Sequence, residues 1–331
     1  MKKSPFVRSW VALVLGVALC VPGAVGASEE RSRAVKVERR VFPVTLEDGS
    51  TWPLVGYLYY QGSLENRPVQ ILTHGITYTH TYWDAPSVGG RRYSYAEFMA
   101  RRRYAVLALD MLGTGESGRP AGDELGLWDS ASALHQVTEQ LRKSGRHGTF
   151  QTIIYVGHSN GALISTVAQG VYHGADALVN TGWLNTFHEL PVEDEVIDPL
   201  LEHPYVSIPP ELRSALFYDK ENADLEVIAY DNAWLADTFS RGQFEDLLDV
   251  LEQPCQVPTE EIRVPVLVQL GDNDVLAPAA YAEQEAARYP AAESVTVQTF
   301  TGMGHAANLH YGAREMWERV DAWLRTWFHV P

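Results

Sequence analysis

The chain has 331 residues, 46% of them hydrophobic, which is enough to bury one large α/β core with a substantial insertion or two modest domains. Its formal net charge is −16, and between positions 182 and 262 nineteen acidic residues stand against only Arg213, Lys220 and Arg241, so the remainder is close to neutral. That balance argues against nucleic acid as a partner, because phosphate binding needs a basic face.

The chain opens on a basic n-region, Lys2, Lys3 and Arg8, followed by an uncharged apolar stretch over residues 10–21. Pro22-Gly23-Ala24-Val25-Gly26-Ala27 then offers a small-residue cleavage site after Ala27. The pattern is that of a secretory signal peptide spanning residues 1–27. An uncleaved anchor is the rival reading, since residues 10–27 approach the length of a span. The Pro-Gly break and the short apolar region favour cleavage, which predicts a secreted or periplasmic protein with no stable membrane span. Leu19 is bulkier than the small residue that precedes a lipid-bearing cysteine, which weighs against lipidation of Cys20. Cleavage leaves Cys255 alone, read as a half-buried thiol, so stability must come from the core rather than from disulfides.

Residues 35–46 and 52–60 read as two strands around the turn Glu47-Asp48-Gly49-Ser50, and 69–73 as a third, ending in His74-Gly75. A helix over 93–103 leads to the apolar run 105–109, which suits a buried parallel strand. The loop Asp110-Met111-Leu112-Gly113-Thr114-Gly115-Glu116-Ser117 follows, then a helix over 127–143 with Leu127, Ala131, Leu134, Val137 and Leu141 on one face. A strand over 152–156, a helix from Ala162 and a strand over 177–181 complete the first part. Regular alternation stops at Gly182. The pattern resumes with strand 264–270, helix 279–288, strand 294–300 and a terminal helix over 313–328. Alternating strands and helices predict a mostly parallel sheet covered on both faces. The eighty-residue excursion between is too long for a loop. The expected layout is therefore a core over 28–181, a partly helical cap over 182–262, and the rest of the core over 263–331.

Gly157-His158-Ser159-Asn160-Gly161 sits where a strand turns into a helix, the context of a nucleophile elbow. The turn holds Ser159 in a strained conformation and needs glycines where a Cβ would clash. A serine hydroxyl needs a base as it attacks. His305, in a glycine-rich loop after the last strand, is the base candidate. In Gly271-Asp272-Asn273-Asp274 both aspartates qualify by position to accept the imidazole Nδ1–H. Asp274 is preferred, leaving Asp272 to brace the turn.

The order Ser159, Asp274, His305 is that of the α/β-hydrolases. From residue 35 onward the chain resembles that fold family, through His74-Gly75, the Asp110-to-Ser117 loop, the elbow, and the acid and histidine loops. The resemblance implies an oxyanion hole made by the backbone N–H groups of Ile76 and Asn160, and a structural part for the Asp110 loop. A serine at the elbow points to an acyl-enzyme and away from dehalogenase-like and epoxide-hydrolase-like members, which carry aspartate there. His158 departs from the G-G-S-x-G elbow of proline-iminopeptidase-like enzymes.

Tyr78 and Trp83, after the oxyanion strand, could line one wall of a substrate pocket or simply pack. Trp183 and Phe187 could form the opposite wall or pack at a hinge. An apolar, ring-accepting pocket would suit a hydrophobic or aromatic ester. The acidic cap either keeps an exported protein soluble or repels anionic substrates. The expectation is a monomer-capable carboxylic-ester hydrolase acting on a small neutral ester. No metal or organic cofactor is implied, since no H-E-x-x-H spacing or nucleotide loop is present. Acyl transfer, cyclisation or amide cleavage by the same triad is the enzymatic alternative. A binding protein on a hydrolase scaffold is the non-enzymatic one.

Overall fold

Runs that stay apolar at every position become strands covered on both faces, and this rule builds the centre of the molecule. The computed structural model describes residues 34–143 and 149–331; the expected signal peptide, its cleavage site and Cys20 lie outside the described residues. The central sheet contains β1 (Lys36–Thr45), β2 (Thr51–Tyr60), β3 (Val69–Thr73), β4 (Ala105–Asp110), β5 (Ile153–His158), β6 (Ala177–Thr181), β7 (Val266–Gly271) and β8 (Val295–Phe300). Their spatial order is β1-β2-β4-β3-β5-β6-β7-β8. Pairs β1–β2 and β2–β4 are antiparallel and all the others parallel.

Among the described residues the α-helices longer than four residues are α1 (Tyr95–Arg101), α2 (Leu127–Arg142), α3 (Asn160–Tyr172), α4 (Pro210–Leu216), α5 (Leu225–Tyr230), α6 (Arg241–Glu252), α7 (Ala282–Ala286) and α8 (Ala313–Trp327). Period-two alternation sorts the core into two layers. Ile71, Leu107 and Tyr155 pack with Leu134 of α2 and Leu163 of α3 on one face. Their neighbours Leu72, Val106 and Val156 pack with Met99 of α1 and Trp317 of α8 on the other. The mostly parallel sheet with helices on both faces is as expected.

Local differences have local causes. The helix expected from 93 starts at Tyr95, because Arg91–Ser94 pairs with Asp84–Val88 as an antiparallel ribbon. The Ser94 hydroxyl then caps α1 by accepting from Glu97 N–H. The helix expected over 279–288 is a 3₁₀ turn, Ala279–Tyr281, continued by the short α7. Cys255 is exposed rather than half-buried, because the 3₁₀ turn Pro254–Gln256 that carries it buries none of its side chains.

Between β6 and β7 the chain forms α4, α5, α6, shorter helical turns and a two-residue ribbon, Tyr205–Val206 with Phe239–Ser240. Polar side chains fasten this segment to the rest. Asn160 Nδ2 donates to Gln243 Oε1 at 3.0 Å. Leu127 N–H donates to Asp246 Oδ2 at 2.6 Å, which satisfies an N-terminal donor of α2 that Gly126 cannot. Asn185 gives its backbone and side-chain N–H groups to the buried Glu285 carboxylate, at 2.6 and 3.0 Å. Among the described residues no helix is long and apolar enough to cross a membrane.

Candidate active site

Strand β5 ends one residue before Ser159, and α3 begins one residue after it. The serine takes φ 52° and ψ −126°, a left-sided conformation that costs a non-glycine residue about 1–3 kcal/mol. Three backbone hydrogen bonds hold it there. Its N–H donates to Thr181 O at 2.9 Å, and its carbonyl accepts from Ala162 and Leu163 at 2.8 and 3.1 Å. The flanking glycines are steric necessities. A Cβ on Gly157 would stand 2.4 Å from Ala162 Cα, and one on Gly161 would stand 2.2 Å from Thr73 O.

His305 reaches the serine from the loop after β8, with Nε2 2.9 Å from Ser159 Oγ. Its Nδ1 lies 3.0 Å from Asp274 Oδ2 and 3.1 Å from Oδ1. An ionised carboxylate can only accept, so Nδ1 carries the proton and Nε2 is left to accept from the serine hydroxyl. Asp274 is oriented in turn by the N–H groups of Leu276 and Ala277, both at 2.9 Å from Oδ1. Asp272 points elsewhere and accepts from Gly302 N–H at 2.7 Å, tying the β7 turn to the loop that follows β8. Ser159, Asp274 and His305 are all buried. This geometry lets a hydroxyl lose its proton to an imidazole whose positive charge a carboxylate stabilises.

Gly75 lies against Ser159, where an added Cβ would be 3.1 Å from the serine Cβ. The next residue is Ile76, and neither its N–H nor that of Asn160 has an acceptor among the described residues. His74 fixes this turn from outside. Its Nδ1–H donates to Gly75 O at 2.9 Å, while Nε2 accepts from Met111 N–H at 3.1 Å. The Asp110 loop is therefore coupled to the turn that carries Ile76. Asp110 itself accepts from His80 N–H, His80 Nδ1 and Glu116 N–H at 2.7–2.9 Å. Burial would raise its carboxyl, but the His80 hydrogen bond and charge outweigh it and hold the group below its ordinary value. Gly115 makes room, since a Cβ there would fall 2.3 Å from that carboxylate. His158, inside the elbow, is pressed well below the ordinary histidine range by burial first and by His305 second. Its ring stacks on Tyr82 at 4.5 Å.

Beside Ser159 and His305 opens an apolar cavity of about 80 Å³. Ile76 lines it, and Trp183, Leu190, Leu212, Phe217 and Leu251 are among the lining residues that the 182–262 segment contributes. Apart from His305, none of its lining residues is ionisable.

Three of the four expected pocket residues need correction. Tyr78 is buried away from the cavity, with its hydroxyl donating to Asp231 Oδ2 at 3.2 Å. Trp83 packs between Tyr82 and Tyr95 in the core under α1 and α8. Phe187 is 60% exposed and off the wall. Only Trp183 lines the space. The wall that α6 supplies went unread, although Phe244, Leu247, Leu248 and Leu251 follow the i, i+3, i+4, i+7 spacing that marks one helix face.

The family model for serine aminopeptidase, S33, matches residues 88–309, more than half of the chain. The chain belongs to this family of α/β-hydrolases. This α/β-hydrolase also shares its fold with many solved structures. A hydrolase from Pseudomonas aeruginosa PA01 is 20% identical with a TM-score of 0.64, over 86% of this chain and 98% of that one. A thermophilic esterase from Thermogutta terrifontis is 19% identical with a TM-score of 0.63, over 87% and 98%. A monoacylglycerol lipase from Paleococcus ferrophilus is 16% identical with a TM-score of 0.60, over 88% and 99%. A search of the curated proteins returns no match. At these identities the likeness to solved structures is one of fold.

Proposed function

We propose that this α/β-hydrolase is an exported serine esterase that cleaves neutral carboxylic esters with an aliphatic acyl chain. The observation that carries this reading is the hydrogen-bonded series Ser159–His305–Asp274 opening onto a cavity without an ionisable wall residue other than His305. Ser159 Oγ attacks the ester carbonyl while His305 Nε2 takes its proton. Charge gathers on the carbonyl oxygen as the tetrahedral intermediate forms, facing the N–H groups of Ile76 and Asn160. Each such donor is worth roughly 3 to 4 kcal/mol of barrier. The imidazolium, held by Asp274, returns the proton to the departing alcohol. Water then attacks the acyl-enzyme with His305 again as base, and the acid leaves.

An aminopeptidase must bind a free ammonium group, and burying that cation requires a carboxylate beside it. The cavity wall offers none, which favours esters over peptides with a free N-terminus. Leucine, isoleucine and valine outnumber the aromatic Trp183, Phe217 and Phe244 on the wall, which favours alkyl over aryl acyl groups. The 182–262 segment acts as the cap that shields the acyl-enzyme, and its acidic surface disfavours anionic substrates. Export rests on the n-region, apolar stretch and Ala27 site; a mature N-terminus at Ser28 supports it, and one at Met1 opposes it.

A series of p-nitrophenyl esters from acetate to decanoate, set beside leucine p-nitroanilide, tests the substrate class. Ester turnover that disappears in Ser159→Ala, with no anilide cleavage, is the expected outcome. Preferential anilide cleavage would overturn it.

A further inference from the structure

Thr77 has φ +67°, in the left-handed region that a β-branched residue rarely occupies. It directly follows Ile76, so its backbone sets the path of the turn that carries Ile76, which lines the cavity together with Ser159. Something must hold it there, and the holders come from the segment between β6 and β7. Arg213 of α4 donates from one guanidinium nitrogen to both the hydroxyl and the carbonyl of Thr77. Its other terminal nitrogen donates to Asp231 Oδ1 at 2.7 Å, and its Nε to Asn232 Oδ1 at 3.3 Å. Asp237 N–H also donates to the Thr77 carbonyl, at 2.8 Å.

The surroundings make this a fixed clamp. Arg213 is 1% exposed and Asp231 fully buried. The second carboxylate oxygen of Asp231 accepts from Tyr78 and Tyr218, at 3.2 and 2.8 Å. The guanidinium lies over the rings of Tyr78 and Phe217, at 4.7 and 5.1 Å. Phe217 O also accepts from Ala306 N–H at 2.8 Å, next to His305. A buried cation is expensive unless every donor is used, and here the planar fork spans an aspartate and a strained backbone at once.

We infer that Arg213, held by Asp231, is a positioning residue that locks Thr77 in its left-handed conformation and thereby aims the Ile76 N–H at the developing oxyanion. The inference rests on the esterase reading above. It makes α4 part of the catalytic frame, not only a wall of the cavity.

The test compares wild type with Arg213→Lys, which keeps the charge but loses the fork, and with Arg213→Met/Asp231→Asn, which leaves no buried charge unpaired. Each is assayed on a p-nitrophenyl ester and on its thionoester. Sulfur accepts hydrogen bonds weakly, so the preference for the oxygen ester reports the oxyanion hole directly, and a loss of packing alone does not move it. The expected result in a folded variant is a kcat lower by about tenfold or more, KM within about threefold, and an oxygen preference reduced at least about fivefold. Folded variants that keep wild-type kcat and oxygen preference would overturn the clamp while leaving the esterase reading intact. A wild type with neither ester turnover nor a reactive Ser159 would remove the esterase reading, and the clamp with it.

Discussion

Ser159, His305 and Asp274 come from three separate loops, and each is held by backbone groups that do not depend on substrate. Such preorganisation makes the residue-scale consequences sharp. Asp274→Asn puts an amide where the imidazole proton must be accepted and selects the wrong tautomer, so kcat on a p-nitrophenyl ester should fall by about 10⁴. Asp272→Asn keeps an oxygen to receive Gly302 N–H, and its kcat should stay within about threefold of wild type. Equal losses in the two variants would contradict the pairing of Asp274 with His305. Gly161→Ala drives a methyl into the Thr73 and His74 carbonyls, where backbone on both sides cannot yield. It should lower unfolding stability by about 3 kcal/mol or more, read from the denaturant midpoint.

Helix α6 turns Phe244, Leu247, Leu248 and Leu251 toward the cavity, so the proposed esterase reading assigns acyl-chain preference to this element. Leu251→Trp should reduce the ratio of octanoate to acetate turnover, in kcat/KM, by about tenfold, and an unchanged ratio would move the acyl subsite elsewhere. The same element marks how far the sequence could be read. Strands β4 and β5 were legible because their apolar runs are unbroken from Ala105 to Leu109 and from Ile153 to Val156, and the elbow because its glycines are dictated by contact distances below 2.7 Å. Lining and packing stayed open for Tyr78 and Trp83 because position after β3 does not reveal which way a ring points. Tyr78 directly follows the left-handed Thr77, and no propensity announces such a turn at a β-branched residue. The Arg213–Asp231 pair was hidden for a related reason. An acidic, proline-punctuated stretch reads as solvated surface, and only the packed fold buries two of its charges.

Over the whole molecule, burial holds His74, His158 and His310 below the ordinary histidine value. Folded values depressed below the unfolded value of about 6.5 mean that the unfolded chain binds more protons in acid. Their stabilising contribution is therefore complete above that value and is lost as pH falls through and below it. Asp84 and Glu285, whose carboxyls burial raises, oppose this trend, so the comparison that isolates it is a variant. Between pH 7.5 and 5.5, His158→Gln should lose less unfolding free energy than wild type, by up to about 1.4 kcal/mol. Parallel stability profiles would mean that His158 titrates normally in the folded protein.

The proposed chemistry stands on Ser159 being an activated nucleophile. Labelling the protein with a fluorophosphonate, followed by intact mass and a peptide map beside Ser159→Ala, tests it most directly. A single adduct on Ser159, absent from the variant, is the predicted result. A folded protein that takes up no label, or takes it elsewhere, would contradict the account and bring forward a binding protein built on a hydrolase fold.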